Sequence, residues 1–201
     1  AVDDSRLRTL KSGYLWLAVF AVIGLSWGFP EAKGFGQQVE ADLLTVAESS
    51  KFTATSRFED VAAFIDRCAR EANHIQRIDI GETVEGRPII AAVVGNPLPV
   101  VEPTPRGTSN LATKDPRIVC LLLGNIHSGE CAGKEALLML LRELARSPDA
   151  PWLKELVLIF VPNYNADGNE RIGSGQYHRP GQMGPEAGMG LRENAQQLDL
   201  N

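Results

Sequence analysis

His127 and Glu130 stand three residues apart in "LLLGNIHSGECAGKEALLMLL" (121–141), where an apolar run gives way to a helical pattern between Gly124 and Gly129. Imidazole and carboxylate are both good zinc ligands, and a catalytic zinc takes about three protein ligands and a water. The same pair also suits a tight strand-to-helix turn, with Glu130 favouring the positive end of the helix. H-x-x-E recurs by chance, so the spacing alone leaves both possibilities open. A second polar cluster, "NYNADGNE" (163–170), carries Asn163, Asn165, Asp167 and Gly168 in the order of the first half of a calcium loop. Such a loop needs a glutamate at its twelfth position, and Ser174 is there instead. A strand rather than a helix precedes it, so these residues read as turn formers with local side-chain hydrogen bonds.

The elements that must position these clusters are legible on either side. "RIVCLLLG" (117–124) is a continuous β-branched and leucine run, which suits a strand buried on both faces. Ala136, Leu137, Leu140, Leu141 and Leu144 then form an apolar stripe on a helix that stops at Ser147-Pro148. "LVLIFVP" (156–162) is a second buried strand, ended by proline. Strand, helix and strand in this order make a βαβ unit. The expected fold is therefore α/β, a mixed, largely parallel sheet flanked by helices. Chemistry in such sheets collects at the carboxyl ends of strands, and both clusters lie there.

Upstream, "TSRFEDVAAFIDRCAREA" predicts a helix with Ser56 and Glu59 as a capping box and Phe58, Val61, Ala62, Ile65 and Ala69 on its apolar face. "IQRIDI" and "RPIIAAVVG" predict two strands about the glycine-bounded turn "GETVEG". The glycine-rich segment 173–194 reads as a long surface loop.

A net charge of −5 over 201 residues provides no basic footprint and excludes nucleic acid as a partner. Cys68, Cys120 and Cys131 contain no CxxC pair, which argues against a disulfide framework or a thiolate zinc site. Cys120 reads as a small buried hydrophobe. At the N-terminus Arg6, Arg8 and Lys11 precede "YLWLAVFAVIGLSWGF", and residues 12–30 carry no charge. Residues 1–32 therefore read as a signal peptide, directing the protein to a secreted or periplasmic location. The competing assignment is an uncleaved anchor, with membrane association through residues 12–30. Residues 33–51 read as a linker, and 52–201 as the principal domain.

Four segments carry a resemblance. "VEGRPI" (84–89), "GNIHSGECAGKEA" (124–136), "VPNYNADGNERI" (161–172) and "RENAQQLDLN" (192–201) stand in the order seen in zinc carboxypeptidases of the M14 metallopeptidase family. The sequence resembles that family from about Thr53 to Asn201. The resemblance implies that His127 and Glu130 are two ligands of Zn2+ and that Arg192 polarises the scissile carbonyl. It implies that Asn201 helps to hold the C-terminal carboxylate of a peptide substrate, whose last residue is released. Glu85, Gly86, Arg87, Asp167 and Gly168 would be scaffold. The family pattern continues after D-L-N with an arginine clamp, a third ligand histidine and a general-base glutamate. The resemblance thus covers the N-terminal part of a catalytic domain, truncated before the base, and this chain alone is expected to be inactive. His74 reads as a surface histidine and His178 as a solvated loop residue. Two alternatives remain beside the carboxypeptidase. One is an N-acyl amino acid amidohydrolase of the aspartoacylase type, whose sites tend to read H-G-x-E where this chain has "HSGE". The other is a non-catalytic binding module that kept the scaffold.

Overall fold

The computed structural model describes residues 43–103, 109–111, 115–174 and 184–201. The expected signal or anchor (1–32) and His178 lie outside these residues. The helices are α1 (Val46–Ser49), α2 (Phe58–Glu71), α3 (Cys131–Ala145) and α4 (Ala166–Glu170), with a 3-10 turn at Pro151–Lys154. The strands are β1 (Ile75–Glu82), β2 (Pro88–Val94), β3 (Val101–Pro103), β4 (Ser109–Leu111), β5 (Ile118–Leu123) and β6 (Leu156–Val161).

The main sheet runs β1-β2-β6-β5, and β3 pairs with β4 in a separate two-stranded sheet. β1 and β2 form an antiparallel hairpin, β2 is antiparallel to β6, and β6 is parallel to β5. The fold is the expected mixed α/β sheet flanked by helices, with parallel pairing confined to the β5-α3-β6 unit among the described residues. β2 and β6 are central, and both their faces are covered. Ala92, Val94, Leu158 and Phe160 face a core shared with α2 and α3. Ala91, Val93, Val157 and Val161 face a smaller cluster with Ile78. Two-sided burial explains why both strands are uninterrupted apolar runs.

Several local expectations need correction. β5 has the same composition as β6 but is not buried on both faces: Ile118, Val119, Leu121 and Leu123 are 69%, 50%, 57% and 37% exposed. It is the edge of the described sheet, so composition reports what the strand could bury and not what covers it. The buried residues of α3 are Lys134, Glu135, Leu138, Leu141 and Leu144, while Ala136 and Leu140 are exposed. The buried face is rotated from the expected stripe and includes a lysine and a glutamate. α2 begins at Phe58, with Asp60 accepting the Arg57 N–H at 2.8 Å. Ser56 is not its cap; it turns to Glu135 instead. His74 is not on the surface. It is buried, with Nε2 2.8 Å from the Leu144 carbonyl oxygen at the end of α3. From residue 43 onward the expected linker is ordered: Thr45 caps α1, and Leu43 and Ala47 are buried. Burial also pushes the Cys68 thiol up to about 12, leaving it a core side chain.

Candidate metal centre

The chain leaves β5 through Gly124, where a Cβ would come within 2.9 Å of the Pro162 carbonyl oxygen. Only glycine lets the ends of β5 and β6 approach this closely. Asn125 follows in the left-handed region at φ 57°, a conformation that asparagine tolerates better than most residues. The carbonyls of Gly124 and Asn125 accept the N–H groups of Tyr164 and Asn165, each at 3.2 Å. Ser128 Oγ donates to the Asn165 carbonyl at 2.8 Å. These bonds lock the turn after β5 to the turn after β6. A tight His127 O to Glu130 N–H bond of 2.8 Å then brings the two side chains to one side.

His127 Nδ1 lies 3.2 Å from Glu130 Oε1, and His127 Nε2 lies 2.8 Å from Asp199 Oδ1. His127 is buried, whereas the Glu130 and Asp199 side chains are each 46% exposed. A proton on Nε2, donated to Asp199, leaves the neutral imidazole's lone pair on Nδ1, beside the glutamate oxygen. A cavity of about 340 Å³, lined by residues 123–126 and 129–133, reaches Glu130 but not His127, Arg192 or Asp199.

Arg192 completes the cluster. Its Nε and Nη2 donate to Asp199 Oδ2 at 2.9 and 2.8 Å, and its Nη1 lies 3.9 Å from Glu130 Oε1. The hydrogen bonds from His127 and Arg192 hold the Asp199 carboxyl down at about 2, so it is ionised at neutral pH. The segment bearing Arg192 is fixed by Asn165, whose Nδ2 donates to the carbonyls of Arg192 and Glu193. Asn165 Oδ1 meanwhile accepts the Gly168 N–H and caps α4. A Cβ on Gly168 would meet the Glu193 carbonyl at 2.6 Å, so the glycine is what admits this segment. Asn201 joins through its backbone N–H, 3.1 Å from Asp199 Oδ1, with its side chain exposed.

Four positions singled out in the sequence (His127, Glu130, Arg192 and Asn201) therefore meet in one place, and the sequence did not reveal what joins them. Asp199 touches three of the four. It lies 72 positions from His127, so no spacing rule could pair them. The expected scaffold residues form their own unit. Buried Asp167 accepts from Thr83 Oγ1 at 2.7 Å, from the Glu85 N–H at 3.1 Å and from Arg87 Nη1 at 2.6 Å, tying the β1–β2 turn to α4.

The donor set suits a zinc ion in part. Two ligand-type atoms stand side by side, and a carboxylate orients the imidazole from its far nitrogen, as is usual for metal-bound histidines. Among the described residues, no group of three His, Cys, Asp or Glu side chains forms a complete metal site.

The family model for zinc carboxypeptidase, M14, matches residues 61–201. The chain belongs to this zinc carboxypeptidase family. Among solved structures, the carboxypeptidase A from Helicoverpa armigera is 20% identical, with 78% of this chain and 35% of that chain covered, at a TM-score of 0.51. The metallo-carboxypeptidase from Burkholderia cenocepacia is 22% identical over 73% of this chain and 32% of that one, at a TM-score of 0.48. Bovine thrombin-activatable fibrinolysis inhibitor is 13% identical over 71% and 39%, at 0.47. The chain thus spans only about a third of the length of these solved structures. No curated protein matches it in sequence. Among the described residues no helix is long and apolar enough to cross a membrane.

Proposed function

We propose that this chain contributes the first half of a zinc carboxypeptidase centre that releases the C-terminal amino acid of a peptide. The observation that carries the proposal is the His127 Nδ1–Glu130 Oε1 pair at 3.2 Å with Asp199 on the far imidazole nitrogen. His127 and Glu130 would hold the zinc. When bound, zinc polarises the scissile carbonyl and makes water a stronger nucleophile near neutral pH.

Other residues of the chain orient these ligands and the substrate. Asp199 keeps the proton on His127 Nε2, so that Nδ1 stays a lone-pair donor. Arg192, braced on Asp199, stabilises the negative charge that develops on the carbonyl oxygen. The exposed Asn201 amide donates to the substrate's terminal carboxylate. Secretion or transfer to a periplasm is proposed from the basic-then-apolar start of the sequence. The 201 residues by themselves are proposed to be inactive, since the described residues supply two of the about three protein ligands that a catalytic zinc takes.

Purified full-length protein assayed on a blocked dipeptide tests this directly. Hydrolysis that is lost on chelation and restored by zinc supports the proposal. Preference for an N-acyl amino acid over the peptide would favour the amidohydrolase. A stable, zinc-free protein without turnover would leave only a binding module.

A further inference from the structure

Directly behind the candidate centre, Lys134 is completely buried on the inner face of α3. A lysine in a core needs a reason, because burying an ammonium is costly unless partners meet it. Its Nζ donates to the Ser56 carbonyl and to Asn169 Oδ1, and lies 4.0 Å from Glu135 Oε1. Desolvation pushes Lys134 down to about 8, so it still carries its proton at neutral pH.

The consequence runs through Asn169. An ammonium only donates, so the amide oxygen of Asn169 must face Lys134. That fixes Asn169 Nδ2 toward the Ser56 carbonyl and Glu170 Oε1, at 3.2 and 3.1 Å. It also leaves Asn169 Oδ1 to accept a second bond, 3.0 Å from Asn125 Nδ2, which donates to Asn163 Oδ1 at 2.8 Å as well. Asn125 is the left-handed residue at φ 57°, two positions before His127. Asn125, Asn163 and Asn169 are all buried, so water does not compete for these bonds.

We propose that Lys134 is a positioning residue: through Asn169 it holds Asn125 in its left-handed turn and so aims His127 and Glu130 at a common ion. The proposal rests on the zinc reading of that pair. Neither Lys134 nor Asn169 touches the His127–Glu130 pair directly, so their effect must pass through the Asn125 backbone.

The test uses full-length protein, stripped of metal and titrated with zinc against a chromophoric chelator, beside a thermal melt of each metal-free variant. Lys134→Met keeps the bulk and removes the donor. Asn125→Gly tolerates φ 57° without strain and cuts the link while leaving Lys134 in place. Both are expected to weaken zinc binding by about tenfold to a hundredfold, the usual effect of losing an outer partner. The double variant should be no weaker than the weaker single, since both cut one chain of contacts. Asn125→Gly should melt somewhat below wild type, since two buried hydrogen bonds are lost, but stay folded at the temperature of the titration, and it decides the matter alone if Lys134→Met fails to fold. Zinc bound as tightly by the variants as by wild type, with only the melting temperature lowered, would overturn the positioning role while sparing the zinc reading. Wild-type protein that takes up no zinc would overturn that reading and this proposal with it.

Discussion

Two polar clusters flank the first turns of α3, and they are built on opposite plans. In one, Lys134 has no exposed surface, Glu135 is 6% exposed, and the carboxylate of Glu135 accepts from Thr55 Oγ1, Ser56 N–H and Ser56 Oγ. In the other, His127 is held from behind by Asp199, while the Glu130 and Asp199 carboxylates remain nearly half exposed. The first cluster spends its charges on internal partners. The second fixes the orientation of a ligand-type atom and leaves its front accessible. Polar groups buried together with their partners make a scaffold; groups that keep exposed surface make a site.

The largest expected effect lies in the buried cluster. Glu135→Ala would strip Lys134 of its counter-charge and leave three donors unmatched. Removing one partner of a buried pair typically costs about 3–5 kcal/mol, to be read from chemical denaturation of the metal-free protein. A loss under about 1 kcal/mol would mean that water already reaches this cluster. Asp199→Asn should behave in the opposite sense. The carboxylate is exposed, so stability should hardly change, but zinc affinity should fall by about tenfold to a hundredfold because the imidazole loses its anionic support. Isothermal titration with zinc measures it.

The third expectation is a pH dependence. Desolvation pushes Lys134 in the folded protein down to about 8 from the ordinary 10.5. Between these values the unfolded chain holds a proton that the folded chain has released, so stability from this residue rises with pH. Below about pH 8 its contribution is level. Comparing wild type with Lys134→Met in thermal melts from pH 7 to 10.5 should show wild type gaining on the variant in the upper part of that range. A constant difference would mean that Lys134 is not desolvated in solution.

The same contrast explains what the sequence disclosed. Periodicity and turn chemistry placed the β1–β2 hairpin, β5, α3 and β6, since each is local. They erred where a tertiary partner decides. β5 and β6 read alike, and only pairing position makes one an edge and the other a centre. Lys134 stands in an apolar helix, and nothing within four positions announces Asn169 as its acceptor. His74 is buried because α3 ends above it. At the site, the motifs named His127, Glu130, Arg192 and Asn201, but Asp199 as the residue joining them follows from the fold alone.

The central claim is that His127 and Glu130 serve a metal rather than a turn. Zinc content per chain decides it, measured on full-length wild type, His127→Ala and Glu130→Ala, with a melt of each protein after metal removal. The expected result is one zinc per wild-type chain, a loss of at least tenfold in zinc affinity in each variant, and metal-free melts that differ little. A helix-terminal charge alone contributes about 0.3–1 kcal/mol. If both variants keep stoichiometric zinc and lose only that much stability, His127 and Glu130 are turn residues and the proposed centre is wrong.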